Sequence, residues 1–243
     1  MDKNNTTVSA TLASEICNQI SSIFSKPTST PPPLTLLVNE ISSVSNRKGK
    51  IFVYGVGREG LMLKALCMRL FHLGLSVHCV FDMTTPPISA SDLLIASAGP
   101  GGFSTVNAIC GVAKDNGAVV LLLTAEVGEA VRVGVASVVA HVPARTMADD
   151  QVHVTAETCK PRQKVHSSET TLSSIVPHKT MATDDDHSGG EGGGGGGGGG
   201  ELLPMGSLYE GALFVLFEMV VFELGKVLNQ SPDVVRSRHT NLE

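Results

Sequence analysis

Tryptophan is absent and aromatic residues make up only 4% of the 243 residues, so the interior has to be built from Val, Leu, Ile and Ala. That composition suits a buried parallel sheet. Cysteine is sparse, and Cys17, Cys67, Cys79, Cys110 and Cys159 never reach the CxxC spacing of zinc or redox motifs. They read as buried free thiols of a reducing compartment. The eight histidines are scattered, so no metal site and no cofactor is expected. Basic residues are outnumbered, and the net charge of −5 gives no footprint for nucleic acid.

A charge-free hydrophobic run of membrane length is also lacking. The most apolar stretch, Ser207 to Leu228, carries Glu210, Glu218, Glu223 and Lys226. Each charge in hydrocarbon costs about 2.5–3.5 kcal/mol on insertion scales, so this stretch is read as a core or subunit-interface helix and no membrane partner is expected. The N-terminal region holds no apolar segment of signal-peptide length. Asp2 and Glu15, with no Arg before Arg47, give an organelle transit peptide little support. The expectation is a cytoplasmic protein.

What is present is an alternation of β-rich and helical patterns. Val8 to Phe24 reads as a helix, broken by the four prolines between Lys26 and Pro33, and Leu34 to Val44 as a second. Strands are expected at Lys50 to Tyr54, Ser76 to Phe81, Asp92 to Ala96, Val119 to Thr124 and Val138 to Val142. Helices are expected at Gly60 to Leu73 and at Ser104 to Asn116, the latter capped by Ser104 or Thr105. This order predicts an α/β fold with a parallel sheet and right-handed crossovers. Thr155 to Glu201 ends in a nearly unbroken glycine run that cannot repay its ordering entropy, and is read as a disordered insertion. The chain thus divides into an N-terminal helix and Pro-rich linker (1–33), an α/β domain (34–154), the Gly-rich insertion (155–201), and a C-terminal helix and tail completing the domain (202–243).

Two Gly-rich turns follow strands and open helices. Gly55-Val56-Gly57-Arg58-Glu59-Gly60 fits G-x-G-x-x-G, and with Asp82 after the second strand it leaves a dinucleotide site open as an alternative. The second turn, Ala98-Gly99-Pro100-Gly101-Gly102-Phe103-Ser104-Thr105, sits at the same edge of the sheet, where open α/β sheets bind ligands. Two such turns side by side suit one compact phosphate better than an extended dinucleotide.

The run Ile51-Phe52-Val53-Tyr54-Gly55-Val56-Gly57-Arg58 combines with Lys64-Ala65 and Met68-Arg69-Leu70-Phe71-His72-Leu73-Gly74. Further along stand Thr84-Thr85-Pro86, Asp92 to Ala96, Leu203-Pro204-Met205-Gly206 and Arg238-His239-Thr240-Asn241-Leu242-Glu243. Together these resemble the sugar isomerase (SIS) family, and within it the 3-hexulose-6-phosphate isomerase branch. The resemblance implies a three-layer sandwich with a five-stranded parallel sheet flanked by helices, a sugar phosphate as the small-molecule partner, and a homo-oligomer, commonly a tetramer. It implies interconversion of ketohexose 6-phosphates through a cis-enediol. Glu210 of the Pro-Met-Gly-x-x-aromatic-Glu motif would be the base, and His239 would assist from a neighbouring subunit. Substrate contacts would come from Gly57, Arg58, Glu59, Ala98, Gly99, Pro100, Gly101, Gly102, Phe103, Ser104 and Thr105. Read without the resemblance, Ser207-x-x-Glu210 is equally a capping box.

The chain departs from the family pattern at Glu59, Ala98 and Pro100, where the family carries serines. A carboxylate on the surface turn at Glu59, about 4 Å from a phosphate, costs roughly 4 kcal/mol at an effective dielectric of 20. A second expectation therefore stands beside the first, namely a weak or inactive SIS module that binds a carbohydrate derivative or acts in assembly.

Overall fold

The computed structural model describes residues 3–28, 31–146, 202–239 and 241, with side chains from residue 8 onward. The proposed insertion at 155–201 and Cys159 lie outside the described residues. The elements run α1 (Lys3–Ile23), α2 (Pro33–Asn46), β1 (Ile51–Gly55), α3 (Gly57–His72), β2 (Val77–Cys79), β3 (Leu93–Ser97), α4 (Ser104–Asp115), β4 (Val119–Thr124), α5 (Val127–Val133), β5 (Val138–His141), α6 (Ser207–Val227) and α7 (Pro232–Ser237).

The five strands form one parallel sheet in the order β2-β1-β3-β4-β5, with Ile51 beside both Val77 and Leu93. Every residue of β3 is buried, which explains its unbroken apolar sequence Leu93-Leu94-Ile95-Ala96. Alternation sends Leu93 and Ile95 into one core with Ile51, Val53 and Leu63, under α1, α2, α3 and α6. Leu94 and Ala96 point the other way, into a second core with Phe52, Val106 and Leu122 under α4 and α5. The result is the three-layer α/β sandwich that the family resemblance implies.

The sheet reverses its winding between β1 and β3. The chain leaves β1 for one face through α3 and leaves β3 for the other through α4, which opens a crevice at the carboxyl ends of these two strands. α3 comes so close to β1 that a Cβ on Gly60 would lie 2.5 Å from the carbonyl oxygen of Gly55. α6 is apolar nearly all round. It buries Ala212, Leu213, Leu216, Phe217, Val220 and Leu224, and it holds Arg69 of α3 through Glu218 at 3.1 Å. Among the described residues no helix is long and apolar enough to cross a membrane.

Several sequence expectations are corrected. α4 is not capped by Ser104 or Thr105, because its N-cap is Phe103, which offers no side-chain acceptor. α3 begins at Gly57, three residues before the predicted start, and Gly57 takes a φ of +57° in the turn that opens it. α5 and α7, only 7 and 6 residues long, are too short to leave a periodic signal in the sequence. Cys17 is exposed and Cys67 and Cys79 are only partly buried, so among the described cysteines the reading as buried thiols holds for Cys110 alone.

Asp92, at the foot of β3, is fully buried. Burial pushes its carboxyl up, but the Lys50 and Ser89 N–H groups, the Ser89 hydroxyl and the Lys50 ammonium outweigh this and hold it below the usual range. A depressed folded value supplies stability above the unfolded value of about 4 and loses it as pH falls below that. Asp92→Ala is expected to cost about 3 kcal/mol at neutral pH in denaturant unfolding and to flatten the acid limb of the stability profile. Gly60→Ala is expected to cost about 2 kcal/mol or more by overpacking. Gly111→Ala in α4, where a Cβ meets nothing within 4 Å, is expected to gain about 0.5–1 kcal/mol in the same measurement.

Candidate functional site

The crevice holds a cavity of about 510 Å³. The turn after β1 supplies Val56, Gly57, Arg58 and Glu59, and the turn after β3 supplies Pro100 and Phe103. The start of α6 supplies Gly206, Tyr209 and Glu210, and Thr146 closes one wall. The structure therefore brings six of the sequence-predicted residues together: Gly57, Arg58, Glu59, Pro100, Phe103 and Glu210. Gly99 stands directly behind them.

Ala98, Gly101, Gly102, Ser104 and Thr105 do not line the cavity. Alternation along β3 explains Ala98. Its side chain falls in the second core and its N–H bonds the Leu123 carbonyl at 3.0 Å. Gly101 lies against Glu129 and Gly102 against Asn107, while Ser104 and Thr105 are exposed on the first turn of α4. His239 is elsewhere. Its ring stacks on His72 at a centroid distance of 5.1 Å, and Arg238 bonds the His72 carbonyl at 2.9 Å. His72 ends α3, whose 16 residues place it roughly 22 Å from the cavity in the same subunit. Asp82, considered for a ribose contact, lies with Lys64 and Phe81 at a separate 190 Å³ cavity.

Glu59 is not on a surface turn. It is 8% exposed, in the first turn of α3, with its carboxylate driven inward. The Ser97 hydroxyl donates to Glu59 Oε2 at 2.5 Å, and the Gly99 N–H reaches Oε2 and Oε1 at 3.1 and 3.2 Å. The same alternation that hides Ala98 turns Ser97 toward α3 and α6. Burial pushes the Glu59 carboxyl up, and the Ser97 and Gly99 donors pull against it. Tyr209, almost wholly buried, places its hydroxyl 3.3 Å from Ser97 Oγ. Burial and then the Glu59 charge hold its phenol well above the ordinary range. Tyr209 and Ser97 are site residues that sequence reasoning misses, although the aromatic position of the Pro-Met-Gly motif is an available signal for Tyr209.

Glu210 faces the same cavity. Its Oε2 meets Arg58 Nε at 3.1 Å. Burial raises its carboxyl, Arg58 lowers it, and the Glu59 charge raises it again, leaving it above the usual range. Arg58 also donates to Ser207 Oγ at 2.9 Å and to the Met205 carbonyl. These contacts overturn the capping-box reading. The N-cap of α6 is Gly206, at φ +81°, and it makes no side-chain cap bond. Among the described residues no group of three His, Cys, Asp or Glu side chains is arranged to hold a metal.

No protein-family model matches the chain. A 3-hexulose-6-phosphate isomerase of Mycobacterium gastri is 39% identical over 109 residues, a stretch that is 45% of this chain and 54% of that protein. One from Bacillus subtilis is 24% identical over 194 residues, 80% of each chain. A crystal structure of a Methanococcus jannaschii protein, inferred to be a 3-hexulose-6-phosphate isomerase, superposes with a TM-score of 0.62 at 22% identity, covering 94% of this chain and 97% of that one. The chain has the sugar isomerase (SIS) fold. It is a relative of proteins named 3-hexulose-6-phosphate isomerase, although the 39% match spans only about half the length of the Mycobacterium gastri protein. A further structure of this SIS fold, the Vibrio vulnificus NanR protein, is a complex with ManNAc-6P (TM-score 0.56, 14% identity, 95% of this chain and 66% of that one).

Within this SIS fold Arg58 opposes the upward push of burial on Glu210, the more exposed of the two cavity acids. Arg58→Ala is expected to move the Glu210 carboxyl titration, followed by 13C NMR, to higher pH than in the wild type. Because the pair is partly exposed, the accompanying loss of stability should stay near 1 kcal/mol or below.

Proposed function

We propose that this chain is a sugar-phosphate isomerase of the 3-hexulose-6-phosphate isomerase type, with Glu210 as its base. The observation that carries this reading is the position of Glu210. It lines a cavity at the switch point of the sheet, partly buried, with one guanidinium beside it and its carboxyl raised by burial.

The chemistry asks little more of the protein. Moving a carbonyl between neighbouring carbons requires one proton to leave the carbon next to the carbonyl and return to the other carbon, with a proton passed between the two oxygens. A single carboxylate set over both carbons serves the carbon-bound proton in each direction, through a cis-enediol. Arg58 balances the negative charge that builds at the enediol oxygens. Phe103 and Pro100 give the cavity an apolar wall beside that intermediate.

In this reading His239 acts in the site of a neighbouring copy, since its own cavity lies a helix length away. The protein works as a homo-oligomer, of which a tetramer is the form the family resemblance suggests.

A second reading, a SIS module that binds a carbohydrate derivative without turning it over, is favoured by the Gly99 N–H and Ser97 hydroxyl. Both are already engaged by Glu59.

Turnover of a 3-hexulose 6-phosphate separates the two. Under the first reading the wild type is active. Glu210→Gln then loses about 10²–10⁴-fold in kcat with KM little changed, and the wild-type acid limb lies above the ordinary glutamate value of about 4.3. Ligand binding with no turnover at millimolar substrate establishes the second.

A further inference from the structure

The Ser97 hydroxyl and Gly99 N–H converge on one point, and that point is occupied by a carboxylate of the protein itself. A carboxylate seated on a backbone N–H and a hydroxyl is the arrangement in which a protein holds an anion. The fit is tight. A Cβ on Gly99 would lie 3.2 Å from Glu59 Oε1 and 3.3 Å from the Tyr209 ring. The next residue, Pro100, has no N–H to offer a second anion. Of the described residues lining the cavity, Arg58 is the one cation, and it is engaged by Glu210, Ser207 and Met205.

We infer that Glu59 determines specificity: it fills the anion cradle of Ser97 and Gly99, so the end of the ligand that meets this cradle is a neutral, hydroxyl-bearing carbohydrate terminus and not a phosphate. An ionised carboxylate has about four acceptor positions. Those left over by Ser97 and Gly99 on the cavity side accept a ligand hydroxyl, whereas the dianion of a sugar phosphate brings no proton there and meets like charge; inorganic phosphate keeps one P–OH at about pH 7 but meets the same like charge. A phosphate elsewhere on the same ligand points toward the cavity mouth. The inference takes from the proposed function only that the ligand is a carbohydrate, and it does not depend on turnover.

The test is calorimetric titration of the wild type, Glu59→Ser and Glu59→Gln with inorganic phosphate, fructose and fructose 6-phosphate at pH 7. The wild type is expected to take up no phosphate to about 10 mM and to prefer fructose 6-phosphate over fructose by no more than about threefold. Glu59→Ser, which empties the cradle, is expected to gain phosphate binding and at least about a tenfold preference for the 6-phosphate. Glu59→Gln, neutral but still filling the space, gains neither. Phosphate binding by the wild type, a tenfold wild-type preference for the 6-phosphate, or a Glu59→Ser protein without the gain overturns the inference. If Glu59→Ser does not fold, the wild-type arms decide. If fructose binds none of the proteins, the phosphate arms decide. A wild type without isomerase activity removes the proposed function and leaves this result standing.

Discussion

A buried carboxylate ties the first turn of α3 to the end of β3. That tie, Glu59 on Ser97 and Gly99, spans the place where the sheet reverses its winding. Here the two chain paths diverge and a crevice has to open. An ionisable group so little exposed survives only if its hydrogen-bonding capacity is met, and both donors come from the end of β3 and the turn that follows it. The crevice floor is therefore fixed by a polar contact, while the apolar layers on either side of the sheet fix everything below it. The positions of Tyr209, Gly99 and the start of α6 follow from it, because each packs against the carboxylate or its donors.

Much of the fold is legible in the sequence because it rests on period and composition. The apolar strands, the Gly-rich turns and the helical patterns locate the parallel sheet, with strand and helix ends mostly a few residues off, and the family resemblance supplies the three layers. The site is legible only in outline. Motif and family resemblance point to the two turns and Glu210, and the structure gathers Gly57, Arg58, Glu59, Pro100, Phe103 and Glu210 about one cavity. What sequence cannot supply is direction. A one-residue step at the end of β3 decides that Ser97 faces Glu59 and Tyr209 and Ala98 the opposite core, and this parity depends on register. Glu59 is misplaced by the sequence pattern for a related reason. Starting α3 three residues late leaves Glu59 on an exposed turn, whereas a helix beginning at Gly57 turns it inward.

The distribution of charge around the cavity follows from these placements. Glu59 and Glu210 share it with Arg58, and burial raises both carboxyls. The two acids are nevertheless placed differently. Glu59 is held by neutral donors within the structure, while Glu210 is held by a guanidinium that is half exposed. A group fixed by a hydroxyl and a backbone N–H is suited to recognition, since its geometry does not change when a ligand arrives. A group paired with an exposed arginine can exchange that partner for a ligand, which proton transfer requires. Under the proposed function, the different roles of the two carboxylates follow from where each helix starts.

Relatedness and local chemistry point the same way on fold and part company at one position. The kinship with 3-hexulose-6-phosphate isomerases rests on a 109-residue stretch at 39% identity and on longer matches at lower identity. Such similarity preserves the sheet and the crevice, because these depend on many interchangeable apolar residues. Recognition of an anion depends on very few groups. A carboxylate at the first turn of α3 adds a charge and occupies the adjoining N–H at once. Buried, that carboxylate must engage the donors it finds, and the donors it finds are those a bound anion would use. The fold can therefore be shared across this set of proteins while, on the inference drawn above, residue 59 of this chain sets the polarity of the ligand end that meets it.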